Sequence, residues 1–178
     1  PLITLLVPVA MVMAAWGDGA APDWPADPRL VGLGRRHLGR NPTPIDADEG
    51  DWRLHQLSLG VPDPDVDCRP DADYPIECNF DLLHGMDFAK GCFIGQETAS
   101  RMKRRGTIKT RLVPLRIDGA PPPFGAEVLN GQLRAGEVRS GAGGRVMALM
   151  RLDRLTGALA VDDRRAYADP PAWLGLST

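Results

Sequence analysis

The chain has 178 residues, 43% of them hydrophobic and 25% charged. This is an ordinary soluble globular balance, with room for one sizeable domain or two small ones. A formal net charge of −2 removes any global electrostatic argument for nucleic acid or membrane and leaves only local patches.

The N-terminal stretch "PLITLLVPVAMVMAAW" is the most apolar part of the sequence. It is too short and too proline-interrupted to cross a bilayer, which needs roughly 20 apolar residues. It has no basic leading segment and no initiating Met, so it does not read as a signal peptide, and no membrane association is expected. Its β-branched content predicts one or two buried strands up to about Trp16. A chain that opens on Pro1 in mid-strand reads as a fragment, or as a sequence with pieces missing. "GDGAAPDWPADP" is a loop, and "RLVGLGRRHLG" is short and glycine-broken.

Acidic residues lead into a predicted helix over about 49–59, where they favour the positive end of its dipole. Trp52, His55, Gln56 and Leu59 share one face of it, Gly60 is placed to cap it, and Pro62 stops it. "VPDPDVDCRPDADYP" is a proline-rich loop with five aspartates. It lacks the central glycine and closing glutamate of an EF-hand, so it reads as a solvated acidic loop and no metal site is assigned. From Thr107 the runs "IKTRLVPLRI", "AEVLN", "AGEVRS", "RVMALMRL", "ALAVD" and "RAYA" are strand-like and separated by turns. They predict an all-β module of the meander or small-barrel kind, against which Trp173 tucks.

Cys68, Cys78 and Cys92 are odd in number and follow no CxxC or zinc-type spacing. This argues against a disulfide framework and for a reducing compartment, while a single Cys68–Cys78 bridge stays open. Cys92 stands out in "KGCFIGQETASRMKRRG". It lies just before a predicted helix that opens at Gly95 or Gln96, carries Glu97 in its first turn and ends at Gly106. Glu97 and Arg101 have the spacing and orientation of a helical ion pair. A helix N-terminus and a nearby cation, here Lys90, lower a thiol's pKa from about 8.5. Gly91 and Gly95 leave backbone amides approachable. The residues alone leave two readings open, a reactive thiol or a small residue packed in a tight turn. The basic run Arg101, Lys103, Arg104, Arg105, with Lys109 and Arg111 beyond, could contact phosphates or a polyglutamate tail, or could be a solvated face. Without interleaved aromatics it argues against direct nucleic-acid binding. His37, His55 and His84 have no spacing that pairs them with Cys92 and stay unassigned.

"KGCFIGQE" resembles the K-G-C-[FY]-x-G-Q-E motif of the YgfZ family, folate-binding proteins related to the T protein of the glycine cleavage system. "DPRLVGLGRR", "WRLHQLSLGVPD", "PIECNFDLL", "SRMKRRG" and the tail "GEVRS…ALMRLDRL…PAWL" are similar to further segments of that family, so the likeness runs from about 24 to 175. It implies an α/β (α+β) folate-binding domain of T-protein type over 1–106, lacking its N-terminal part, followed by a small C-terminal antiparallel β-barrel over 107–178. It also implies a tetrahydrofolate-type ligand and a role in assembling or repairing iron–sulfur proteins, among them enzymes that modify transfer RNA. The implied partners are assembly proteins or client enzymes.

By this likeness Cys92 and Lys90 carry the chemistry, and Gly91, Gly95, Gln96, Glu97 and Arg101 complete the motif. Glu77, Asn79 and Asp81 line or brace the pocket. Ser58 stands where the T protein has a pterin-facing glutamate, and a neutral hydroxyl cannot supply the same charge-assisted grip. That argues against aminomethyltransferase chemistry, which is kept as the alternative. The expected compartment is the bacterial cytoplasm, with the mitochondrial matrix as the alternative.

Overall fold

The computed structural model describes residues 2–7, 10–39, 44–91, 96–104 and 108–176. They divide into two compact units, Pro1–Leu59 and Gly60–Thr178.

In the first unit the apolar N-terminal stretch forms two strands, β1 (Leu2–Val7) and β2 (Ala10–Ala15), paired antiparallel. A third strand, β3 (Arg35–Gly39), pairs with β2 on its other side. β2 is therefore central in the sheet, and its last residues Met13, Ala14 and Ala15 are buried without alternation, as is Trp16 just beyond it. Gly34 leads into β3 with φ of +88°, and a Cβ there would stand 2.1 Å from the Ala15 carbonyl oxygen. Only glycine fits this approach.

Helix α1 (Glu49–Ser58) follows. Asp48 caps it reciprocally: its Oδ1 accepts from the Asp51 N–H at 2.9 Å, and Asp51 Oδ2 accepts from the Asp48 N–H at 3.0 Å. Trp52, Gln56 and Leu57 are its buried residues, so the packed face is centred closer to Leu57 than the expected Trp52–His55–Gln56–Leu59 stripe. Gly60 takes φ of +69° just past its end, as the helix-stop reading expects.

The second unit opens inside the acidic loop with a short helix, α2 (Pro64–Asp67), which that reading did not include. Asp63 caps it and Pro64 occupies its first turn, a proper start signal in a segment only four residues long. Turns follow to residue 84, then α3 (Gln96–Arg104).

The six strand-like runs form six strands: β4 (Thr110–Ile117), β5 (Glu127–Asn130), β6 (Leu133–Ala142), β7 (Arg145–Arg151), β8 (Leu159–Val161) and β9 (Arg164–Ala168). All their pairings are antiparallel, and they close into a barrel of order β4-β7-β6-β5-β8-β9. Val113, Leu115 and Ile117 of β4 and Val146, Ala148 and Met150 of β7 fill its core at every second position. Trp173 packs against this core. Pro114 is tolerated in β4 because the β9 ladder ends at Leu115↔Ala168, so its missing N–H falls beyond the paired positions. Its carbonyl still accepts from the Asp169 N–H at 2.9 Å.

Candidate functional site

Cys92 and Gly95, with Arg105 and Gly106, lie outside the described residues, as does the side chain of Gln96. The flanks of the thiol loop are described. Lys90 and Gly91 are exposed before it, and α3 follows it with Glu97 and Arg101 forming the expected ion pair on its surface. Lys103 Nζ sits 3.8 Å from the centre of the Phe88 ring, so one charge of the basic run is spent locally.

Both flanks face one cavity of about 420 Å³ in the second unit. Lys90 lines it from one side of the loop, and Thr98, Ala99 and Met102 of α3 line it from the other. Ile76, Phe80 and Met86 complete a largely apolar wall.

Glu77, Asn79 and Asp81 lie in the turns that dock against β4. The Leu112 N–H donates to the Glu77 carbonyl at 2.8 Å, and Asn79 Nδ2 donates to the Leu112 carbonyl at 2.8 Å. Arg111 is the centre of this brace. It is 6% exposed and donates to the Ile76 carbonyl at 2.8 Å, to Asn79 Oδ1 at 3.1 Å and to both Asp81 oxygens at 2.9 and 2.8 Å. The phosphate-contact reading of Arg111 is thereby corrected: its guanidinium is inside the protein and committed to a carboxylate. The signal was its place in a strand whose other face fills the barrel, not its place after a basic helix.

The first unit holds an analogous knot in "DPRLVGLGRR". Asp27 is fully buried in its side chain, accepts from Arg29 at 2.8 Å and forms an ion pair with Arg36 Nε at 2.9 Å. Burial alone pushes the Asp27 carboxyl up, but the hydrogen bonds and charge of Arg29, with the charge of Arg36, outweigh it and hold it below the usual carboxylate range.

A second cavity, of about 500 Å³, belongs to the first unit and is lined by Trp16, Asp46, Ala47, Asp51, Leu54, His55 and Ser58. Trp16 stacks on His55 with centroids 5.4 Å apart and planes 19° from parallel. His55 Nε2 lies 3.0 Å from the Gly32 carbonyl, and burial shifts its pKa down, favouring the neutral ring. Ser58 Oγ donates to the His55 carbonyl at 2.7 Å and keeps its lone pairs for a further donor. His55, unassigned from sequence, is therefore part of a ring-lined cavity together with Ser58. His37 stacks on Trp24 and is accounted for by packing.

Residues 109–176 match the family described as the CAF17 C-terminal beta-barrel domain, which agrees with the six-stranded barrel. The chain is 34% identical over 155 residues to a human protein named iron-sulfur cluster assembly factor IBA57, mitochondrial, covering 80% of this chain and 43% of that protein. The mouse protein of the same name is 31% identical over 148 residues, covering 76% and 41%. A homologue from the fungus Phaeosphaeria nodorum is 35% identical over 120 residues, covering 60% and 29%. Its homologues are iron–sulfur cluster assembly factors. The chain spans less than half the length of these relatives. Among the described residues no helix is long and apolar enough to cross a membrane.

Proposed function

We propose that the chain is part of an accessory factor for iron–sulfur cluster assembly or repair, which binds a folate and uses the Cys92 thiol. Likeness to proteins named for that assembly, over 76–80% of this chain in the two mammalian cases, is the observation that carries the reading. Its partners are assembly proteins or client enzymes. The mitochondrial names of the relatives favour the matrix over the bacterial cytoplasm as its compartment.

The first-unit cavity suits a pterin. Trp16 and His55 offer ring faces, the Ser58 hydroxyl can accept from a ring N–H, and Asp46 and Asp51 supply acidic edges. Bound there, a tetrahydrofolate would supply a carrier for one-carbon units. Ser58 lacks the charge of a pterin-facing carboxylate, so weak holding of the ligand fits better than aminomethyl transfer.

Titration of the protein with tetrahydrofolate tests the folate reading: saturable binding that Trp16→Ala weakens at least about tenfold is expected, and no saturation refutes it. Cys92→Ser should abolish support of iron–sulfur enzyme activity in cells lacking the protein while leaving its melting curve intact. Wild-type support by Cys92→Ser removes the thiol from the proposal. Turnover with a lipoyl-bound aminomethyl donor would install the transferase alternative instead.

A further inference from the structure

Cys68 and Cys78 are ten positions apart and belong to neither cavity lining, yet their thiols are in hydrogen-bonding contact. The backbone fixes both. Cys68 closes α2, with its N–H donating to the Pro64 carbonyl at 3.3 Å, and the Cys78 N–H donates to the Tyr74 carbonyl at 3.2 Å. The intervening loop is pinned across its base, because the Arg69 N–H donates to Asp73 Oδ2 at 2.7 Å and the Asp73 N–H to the Arg69 carbonyl at 3.1 Å. Cys68 is half-buried and reachable, whereas Cys78 is 2% exposed.

The charges around the pair are those of Asp67, Asp73 and Arg139. Arg139 comes from β6 with its side chain wholly buried. It donates to Asp73 Oδ1 at 2.9 Å, its Nε lies 3.3 Å from Glu137 Oε1, and among the described residues its Nη1 has no hydrogen-bond partner. An unspent buried guanidinium N–H in a cluster with two thiols favours a thiolate. We propose that Cys68 and Cys78 form a redox dithiol, oxidised to an intramolecular disulfide by exchange with a small disulfide of the glutathione type.

The order of attack follows from the surroundings. The hydrogen bond from Cys78 lowers the Cys68 pKa most, with Arg139 adding to it, against burial and the two aspartates. The same bond, with burial, pushes the Cys78 thiol up. The Cys68 thiolate therefore attacks one sulfur of the small disulfide, giving a mixed disulfide and expelling one thiolate, which takes up the Cys68 proton. Cys78 then loses its proton and attacks Cys68 Sγ, and the second small thiol leaves with that proton. The protein loses two hydrogens and two electrons, and one disulfide becomes two thiols.

The test uses the full chain equilibrated in buffers of increasing oxidised-to-reduced glutathione ratio, acid-quenched, alkylated and mapped by mass spectrometry. Cys68 and Cys78 should lose alkylation together, and Cys92→Ser should leave that response unchanged. The closed loop should raise the melting temperature by about 5–10 °C. In Cys68→Ser the melting temperature should not respond to the buffer, and Cys78 should stay reduced. Three results would overturn the proposal in the wild-type protein alone: Cys68 alkylated at every ratio, a glutathione adduct that persists on Cys68 beside reduced Cys78, or a bridge to Cys92.

Discussion

The two units each bury an arginine–carboxylate knot, but the first seals only its carboxylate and the second seals both halves. Around Asp27 the carboxylate is sealed, while Arg29 and Arg36 keep 24% and 38% of their side-chain surface. Around Arg111 the guanidinium is sealed at 7%, with Asp81 at 13%. A partly exposed partner can turn to water when its mate is removed, and a sealed one cannot. The exposure of the half left behind therefore decides what each substitution costs.

The largest effect is expected at Arg111. Arg111→Met leaves Asp81 without its counter-ion, takes from Asn79 Oδ1 the Arg111 donor, and leaves the Ile76 carbonyl only the Asn79 N–H. The cost should be about 3–5 kcal/mol in chemical denaturation. Adding Asp81→Leu should restore part of that loss, because the stranded charge is then gone. A double variant as unstable as the single one would mean that the turns of residues 74–84 depend on the arginine itself.

Asp27→Asn should cost less, about 1–3 kcal/mol, since Arg29 and Arg36 can hydrate. It should also change the pH profile. The folded Asp27 carboxyl titrates below its unfolded value of about 3.9, so its contribution is present above about pH 4 and is lost as pH falls through the folded pKa. Denaturation midpoints followed from pH 6 to pH 2 should show a shallower acid loss in Asp27→Asn. An unchanged acid limb would assign that limb to other carboxylates.

The contrast also separates what could be read in advance from what could not. The barrel was legible because burial at alternate positions prints itself as Val113, Leu115 and Ile117 between turn residues. Helix α1 was legible at its ends, through its acidic start and Gly60. β3 was not, because Arg35, Arg36 and His37 carry no apolar alternation and the strand exists by pairing with β2. Asp27, Arg29 and Arg36 share one segment of the family likeness and Asp81 lies in another, yet pairing Asp27 with Arg36 or Asp81 with Arg111 needs three-dimensional proximity that spacing does not contain. The Cys68–Cys78 contact was hidden for the same reason. At the candidate site, Glu97–Arg101 was legible from its helical spacing, and His55 was not, because only the fold stacks it on Trp16.

That exposed α3 pair supplies the limiting case. Neither half is sealed: Arg101 keeps 58% of its side-chain surface and Glu97 keeps 83%. Arg101→Ala should therefore shift stability by no more than about 0.5 kcal/mol. The likeness that makes Arg101 part of the thiol-loop motif predicts something else for activity, since a side chain held on the surface at low energetic return is available to a partner. Arg101→Ala should then lower support of iron–sulfur enzyme activity in cells while its denaturation curve overlays that of the wild type. A loss of activity that tracks a loss of stability would return Arg101 to the same class as Arg111, a brace rather than a contact.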